Sequence, residues 1–232
     1  MFSFCEYGGS FGKFDADWLA KNGVNQSKYY PTPYLDTSNQ DFLNFEKRIL
    51  NNNKKFKIAT SLGRLHATAT SSGLYLILNE VLPILNKRLG EDNFEIHVYG
   101  DGYLRGSLEE LGKKKNVFIR GYVDDIDKEL LSSDVFLLAS SVHLGYRCRL
   151  INCLARGLPI VIHKNDSINQ PEFINEHNCM VGENSDQIVN GILKILNEKD
   201  LRKKIMKEAR NTYLEYFEPK KAVTNILSDF NK

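Results

Sequence analysis

Along most of this chain, short apolar runs alternate with longer stretches whose apolar residues recur at helical spacing. From Phe56 onward, Lys57–Leu62, Phe94–Tyr99, Asn116–Ile119, Val135–Leu138, Leu158–Ile162 and Cys179–Val181 have the length and aliphatic content of strands, the later ones being continuous enough to be covered on both faces. Between them, Gly73–Arg88, Leu104–Lys113, Ile126–Ser132, Arg149–Arg156 and Gln187–Asn197 each carry one apolar stripe. Pro83 falls inside the first of these helices. It has no N–H to donate and crowds the preceding turn, so the helix kinks or restarts there. Asp200–Phe230 reads as two further helices divided near Pro219. Strand alternating with helix predicts an α/β fold: a Rossmann-like, doubly wound parallel sheet with extra C-terminal helices.

Ahead of Phe56 the alternation is absent. Met1–Lys13 is rich in glycine and aromatic residues without a period and predicts irregular chain. Asp15 is placed to cap a short helix through Trp18 and Leu19 that stops at Gly23. The prolines of YYPTPYLDTSN predict an extended connection, and Phe42–Leu50 an amphipathic helix. The division expected sets residues 1–55 apart from the Rossmann-like unit over 56–232.

Composition removes several functions. With 31 basic against 29 acidic residues, there is no global field for nucleic acid. Cys5, Cys148, Cys153 and Cys179 lack zinc-ligand spacing and suit free thiols in a reducing cytoplasm. No apolar run approaches the roughly 20 residues that cross a bilayer.

The segment Ser133–Ile162 concentrates the chemistry. It places a buried strand, a loop with two arginines, a helix and a second buried strand in succession. The loop lies at the carboxyl end of a strand, where open α/β sheets bind ligands, and the following helix offers free N–H groups and a positive dipole. Gly145 permits close backbone approach, and Arg147 and Arg149 carry forked donors that match phosphate oxygens. As solvated charges they would oppose the helix dipole by a few tenths to about 1 kcal/mol each.

Taken together, GRL after the first strand, YGDG after the second, NVFIRGYVDD around the third, SSDVFLLASS, GYRCRLINCLARGLPIV and the Pro171-Glu172 pair resemble family 4 of the retaining glycosyltransferases. The likeness runs from Phe56 to about Phe217 and is to the C-terminal, nucleotide-sugar-binding half of the two-domain GT-B fold. Gly145, Arg147 and Arg149 reproduce the GxRxK loop of one subgroup, with arginine for lysine. The resemblance implies a nucleotide diphosphate sugar, a uridine diphosphate sugar foremost, as donor substrate, with no cofactor or metal ion. The diphosphate would lie between Gly63, Arg64 and the Arg149 helix, with Arg147 and Arg149 stabilising the leaving phosphate. Gly100 and Gly102 would wall the cleft, or serve turn geometry alone. Backbone groups at Phe118, Ile119 and Arg120 would meet the base. Leu144, Gly145, Tyr146 and Asn152 complete the expected donor site.

Departures from the family's pattern accompany the match. Leu144 and Asn152 stand where many members carry two glutamates, and Ser72 where a diphosphate-binding lysine is common. Asn152 can still hydrogen-bond a ribose hydroxyl, with about 1 kcal/mol less than a charged acceptor. His66 and His143 flank the expected cleft, where a surface role competes with a catalytic one. Glu172 is expected to cap a helix start.

A GT-B enzyme closes its cleft with a second domain; residues 1–55 are too few to form one, and the resemblance implies that they are a remnant of that N-terminal domain plus the interdomain linker. Three explanations stay open: a fragment of a longer chain, a donor subunit that pairs with a separate acceptor subunit, and a degenerate module that binds a nucleotide or partner without catalysis. GT-B sugar-nucleotide epimerases share the fold class, but their acid/base groups have no counterpart here. The leading expectation is retaining transfer of a hexose to a glycan or lipid-linked acceptor in the cytoplasm. The lysine-rich run Lys199–Lys221 would either touch anionic lipid at the inner face of a membrane or form a solvated helix face.

Overall fold

The computed structural model describes residues 7–24, 26–34, 39–50, 55–142 and 145–230. Its centre is a six-stranded parallel sheet built from β3 (Phe56–Ser61), β4 (Phe94–Tyr99), β5 (Val117–Gly121), β6 (Val135–Leu138), β7 (Ile160–His163) and β8 (Met180–Gly182). The spatial order is β5-β4-β3-β6-β7-β8. The order therefore reverses between β3 and β6, and a crevice opens beyond the carboxyl ends of those two strands.

Side-chain alternation sorts the core into two layers. Ile58, Ile96, Val98, Val135, Leu137 and Val161 face one way, against α3 (Thr68–Leu76), α4 (Leu82–Leu89), α5 (Ser107–Leu111) and α9 (Ser185–Asn197). Ala59, Tyr99, Phe136, Leu138, Ile160 and Ile162 face the other way, against α2 (Asn39–Leu50), α6 (Ile126–Leu131), α7 (Cys148–Ala155) and α10 (Lys199–Thr212). Helices on both faces bury both faces, which accounts for the unbroken aliphatic strands in the sequence. Phe45 of α2 is fully buried in the second layer, and Arg48 donates to the carbonyls of Ser132 and Ser133, so α2 packs with the Rossmann-like unit.

Several elements differ from the sequence expectation. Tyr7–Ser10 is not irregular: it forms β1, paired in parallel with β2 (Gln26–Tyr29) across α1 (Lys13–Lys21). A four-residue strand whose two central residues are glycines shows too short a period to be read from sequence. Asp15 lies inside the first turn of α1, whose N-cap is Gly12. The helix expected at Gly73 begins at Thr68, widens into a π turn over Ile77–Val81 and continues from Leu82 with Pro83 in the first turn of α4. The Leu104–Lys113 helix contracts to α5, and the strand expected from Leu158 begins at Ile160. A short helix α8 (Lys164–Ser167) follows β7. The expected break near Pro219 is present, with a second π turn over Tyr213–Phe217 ahead of α11 (Pro219–Phe230).

The first strand pair is tied to the main unit by polar contacts. Lys13 N donates to Asn169 O at 2.9 Å, Tyr29 Oη to Glu172 Oε2 at 2.8 Å, and Tyr30 Oη to Asp229 Oδ2 of α11 at 3.2 Å.

Candidate functional site

The crevice between β3 and β6 is bounded by two loops, and the β3 loop begins with backbone strain. Ser61 and Leu62 both hold positive φ, 80° and 76°. Consecutive left-handed residues outside glycine are costly, and such strain collects at functional sites. Two bonds hold it in place: Leu62 N donates to Tyr99 O at 2.8 Å, and Arg149 Nη1 donates to Ser61 O. Gly63 follows, and a Cβ there would stand 2.8 Å from Arg149 Nη2. The Gly63 loop and the start of the Arg149 helix thus lie side by side, with the guanidinium folded directly onto the loop. Burial and the neighbouring Arg147 both lower the Arg149 pKa, so an anion at this point would relieve an electrostatic penalty.

Arg147 is placed differently. It is the N-cap residue of α7 and is buried. Its Nε donates to Asp166 Oδ1 at 2.9 Å and Nη2 to Ser140 Oγ at 3.0 Å, while Asp166 Oδ2 accepts Ser140 N at 2.8 Å. Gln170 Oε1 lies 3.3 Å from Arg147 N. The cluster joins the ends of β6, α7 and α8 through one carboxylate. Burial lifts the Asp166 carboxyl, opposed chiefly by the Arg147 charge. Sequence inspection did not single out Asp166, which belongs to no motif, or Ser140 within the SSDVFLLASS segment, because their partnership spans the β7 crossover. Below the loops the crevice is narrow, with about 10 Å³ of free volume among Thr60, Ser61, Thr70, Gly73, Ala139 and the two arginines.

The glycosyl transferases group 1 family matches residues 57–198, a span that holds the six-stranded sheet except for Phe56, the first residue of β3. The chain belongs to this family.

Among curated proteins, an Escherichia coli UDP-Gal:alpha-D-GlcNAc-diphosphoundecaprenol alpha-1,3-galactosyltransferase is 25% identical over 226 residues, which is 88% of this chain and 51% of the relative. The chain therefore spans about half the length of that protein. Among solved structures, Anabaena Alr3699/HepE in complex with UDP and glucose superposes with a TM-score of 0.76 at 14% identity, over 98% of this chain and 63% of the other. S. aureus TarM gives 0.73 at 16% identity, over 97% and 43%. These likenesses establish the Rossmann-like half of the GT-B fold.

Within this glycosyl transferase group 1 domain, the remaining expected positions divide into two sets. Arg64 is exposed at the lip of the crevice. Gly145 has φ 62° with open space around it, so it is the backbone turn that requires glycine there. Asn152 Nδ2 donates to Tyr34 Oη and Asp127 Oδ1, and its Oδ1 is buried without a partner. Phe118 and Arg120 turn to the face of β5 shared with His97: the rings of Phe118 and His97 lie 5.1 Å apart, and Arg120 Nε donates to His97 Nδ1 at 3.1 Å. Ile119 turns to the opposite face. β5 is an edge strand two positions from β3, or about 10 Å away at the usual strand spacing. Tyr146 points away from the crevice, its ring 6.5 Å from that of Phe11, and burial pushes its hydroxyl up to about 12. Leu144 and His143 lie outside the described residues.

Gly100 and Gly102 are packing positions. A Cβ on Gly100, where φ is 148°, would stand 2.1 Å from Gly63 O, and one on Gly102 would stand 2.6 Å from His66 Nδ1. Gly100→Ala is therefore expected to lose about 1–3 kcal/mol of stability and to displace the Gly63 loop. A urea transition superimposable on that of the wild type would contradict the close approach.

Glu172 does not cap a helix. It is buried, accepts the Tyr29 hydroxyl, and links β2 to the loop after α8. Burial lifts its carboxyl above the glutamate range, opposed in part by that hydroxyl. The folded state then holds the proton more tightly than the unfolded state, so stability falls as pH rises from the ordinary value near 4.5 through the raised one. Glu172→Gln keeps an acceptor for Tyr29 without the charge. Its urea midpoint is expected to gain on the wild type progressively across that window, and a pH-independent difference would show that Glu172 does not titrate there.

Proposed function

We propose that this domain is the donor-binding lobe of a family 4 retaining glycosyltransferase of the GxRxK type, which transfers a hexose from a nucleotide diphosphate sugar to a glycan or lipid-linked acceptor. The observation that carries the proposal is the convergence of Arg149, the strained Ser61-Leu62 pair and Gly63 at the reversal point of the sheet. In the proposed complex the diphosphate lies across the mouth of the crevice, between the Gly63 loop and the N-terminal turn of α7, and a base about 10 Å away meets the free edge of β5. Arg149 and Arg64 donate to the phosphates. Arg147, held by Asp166 and Ser140, fixes where the α7 N-terminus points. As the glycosidic bond breaks, charge grows on the leaving phosphate, and these fixed donors stabilise it with no protein nucleophile required.

The acceptor side is proposed to come from a second α/β unit, in the same polypeptide or in a separate subunit. Support comes from the β1-α1-β2 pair, a parallel sheet too small to stand alone, and from the length of the relatives. Among the described residues no helix is long and apolar enough to cross a membrane. Peripheral contact with a membrane that carries a lipid-linked acceptor is part of the proposal.

Calorimetric titration with UDP, GDP, ADP and dTDP tests the reading. Saturable binding of UDP, tighter than that of the other nucleotides, is the expected result. Failure of a demonstrably folded chain to bind any of them would remove the donor assignment.

A further inference from the structure

On the outer side of α3, away from the strand crevice, lies a second groove of about 340 Å³. Its floor is Leu65 and Leu108, both buried. One wall is the exposed face of α3, where Thr68, Ser71, Ser72 and Tyr75 succeed one another at the spacing that aligns side chains on one face. Arg105 and Ser107 form the other wall. The exposed face of α10 is rich in lysine, whereas α3 carries no charged residue at all. Short hydroxyls and a tyrosine lose little conformational entropy when they bind, and that composition marks recognition surfaces.

The polar groups here are available for a ligand. Ser71 Oγ and Ser72 Oγ donate back to the carbonyls of Thr68 and Ala69, which leaves their lone pairs as acceptors. Tyr75 is 44% exposed. At the upper end the His66 ring stacks on Tyr103 at 5.6 Å and 22°, and Arg105 Nη2 donates to Tyr103 Oη at 2.7 Å. Apolar floor, aromatic edge, aligned hydroxyls and one forked donor suit a pyranose ring, which has apolar C–H faces and a rim of hydroxyls. One guanidinium among the lining residues is too little cation for a nucleoside diphosphate.

We propose that the α3–α5 groove is a second, separate saccharide site that takes a neutral hexopyranose unit of a glycan. Leu65 and His66 directly continue the Gly63-Arg64 loop, so a glycan held here runs from the reaction crevice along the outside of α3. The proposal rests on the donor-lobe reading for its choice of ligand class.

The test is a titration of the ¹⁵N-labelled chain with methyl glucoside, methyl galactoside, methyl N-acetylglucosaminide and lactose, with and without saturating UDP. Saturable shifts in the millimolar range are expected at amides 68–75 and 103–108, undiminished by UDP, for at least one saccharide. Tyr75→Ala and Arg105→Ala should each weaken that response by roughly fivefold or more while leaving the UDP response at Gly63 and Arg149 intact. No saturable shift in the groove with any of the saccharides, or displacement of the saccharide by UDP, would overturn it. If UDP produces no shifts but the groove still answers to a saccharide, the donor reading fails and this one stands.

Discussion

Asp166→Ala is expected to destabilise the domain by about 3–5 kcal/mol, the range for removing one member of a buried ion pair. The Asp166 side chain has no exposure, and that of its partner Arg147 only 8%. Loss of the carboxylate strands the guanidinium charge in the interior and leaves Ser140 N without its acceptor. The effect should be specific to unbalanced removal. The double variant Arg147→Met/Asp166→Leu takes out both charges, and buried pairs replaced by apolar residues of similar volume are often neutral. Equilibrium urea unfolding of Arg147→Met, Asp166→Leu and the double variant would measure the coupling. If Asp166→Ala lost less than about 1 kcal/mol, or if the double variant were no more stable than the singles, the cluster would not be the strut that holds the α7 N-terminus. Nucleotide affinity should fall in Asp166→Ala even under conditions where it is folded, since the turn that presents Arg149 would lose its anchor.

Arg149→Ala should weaken UDP binding by roughly tenfold to a hundredfold, the equivalent of about 1.5–3 kcal/mol for a charged hydrogen bond. Its effect on stability should be smaller, because the bond to Ser61 O is replaced by water at the mouth of the crevice. Calorimetry on the folded variant separates the two. Arg149→Lys is informative beside it, since lysine keeps the charge but loses the fork that can hold Ser61 O and a phosphate together. An intermediate affinity for lysine is expected. Equal UDP affinity in wild type and Arg149→Ala would place the diphosphate elsewhere. Arg147→Ala, in contrast, should show its loss in the urea transition first.

These two arginines also show where reading from sequence reaches its limit. Both stood out because cations at a helix start oppose its dipole, and both proved to have partners. Local spacing could not say that one partner is a carboxylate nineteen residues on and the other a backbone carbonyl eighty-eight residues back. Gly100 was legible as a turn glycine, but its contact with the Gly63 carbonyl exists only because β3 and β4 are neighbours in parallel register. Tyr146 sits between two expected site residues in sequence and yet points toward the first strand pair, because successive residues ahead of a helix face different ways.

The sequence by itself determined the class of fold and the kinship with glycosyltransferases, which the match to the glycosyl transferases group 1 family bears out. Aliphatic runs covered on both faces have few arrangements other than a doubly wound parallel sheet, and the succession of glycine loops and the GYRCR segment marks the strand ends proposed to carry chemistry. The tertiary structure alone decided which side chains meet there. Pairing of β3 with β6 brings the Gly63 loop onto Arg149, and the β7 crossover brings Asp166 under Arg147. The same packing leaves the uncharged face of α3 open beside α5. Periodicity reports which face of an element is buried, since burial is averaged over many residues. A site depends on a few contacts between residues far apart in the chain, and only the closed sheet sets those distances.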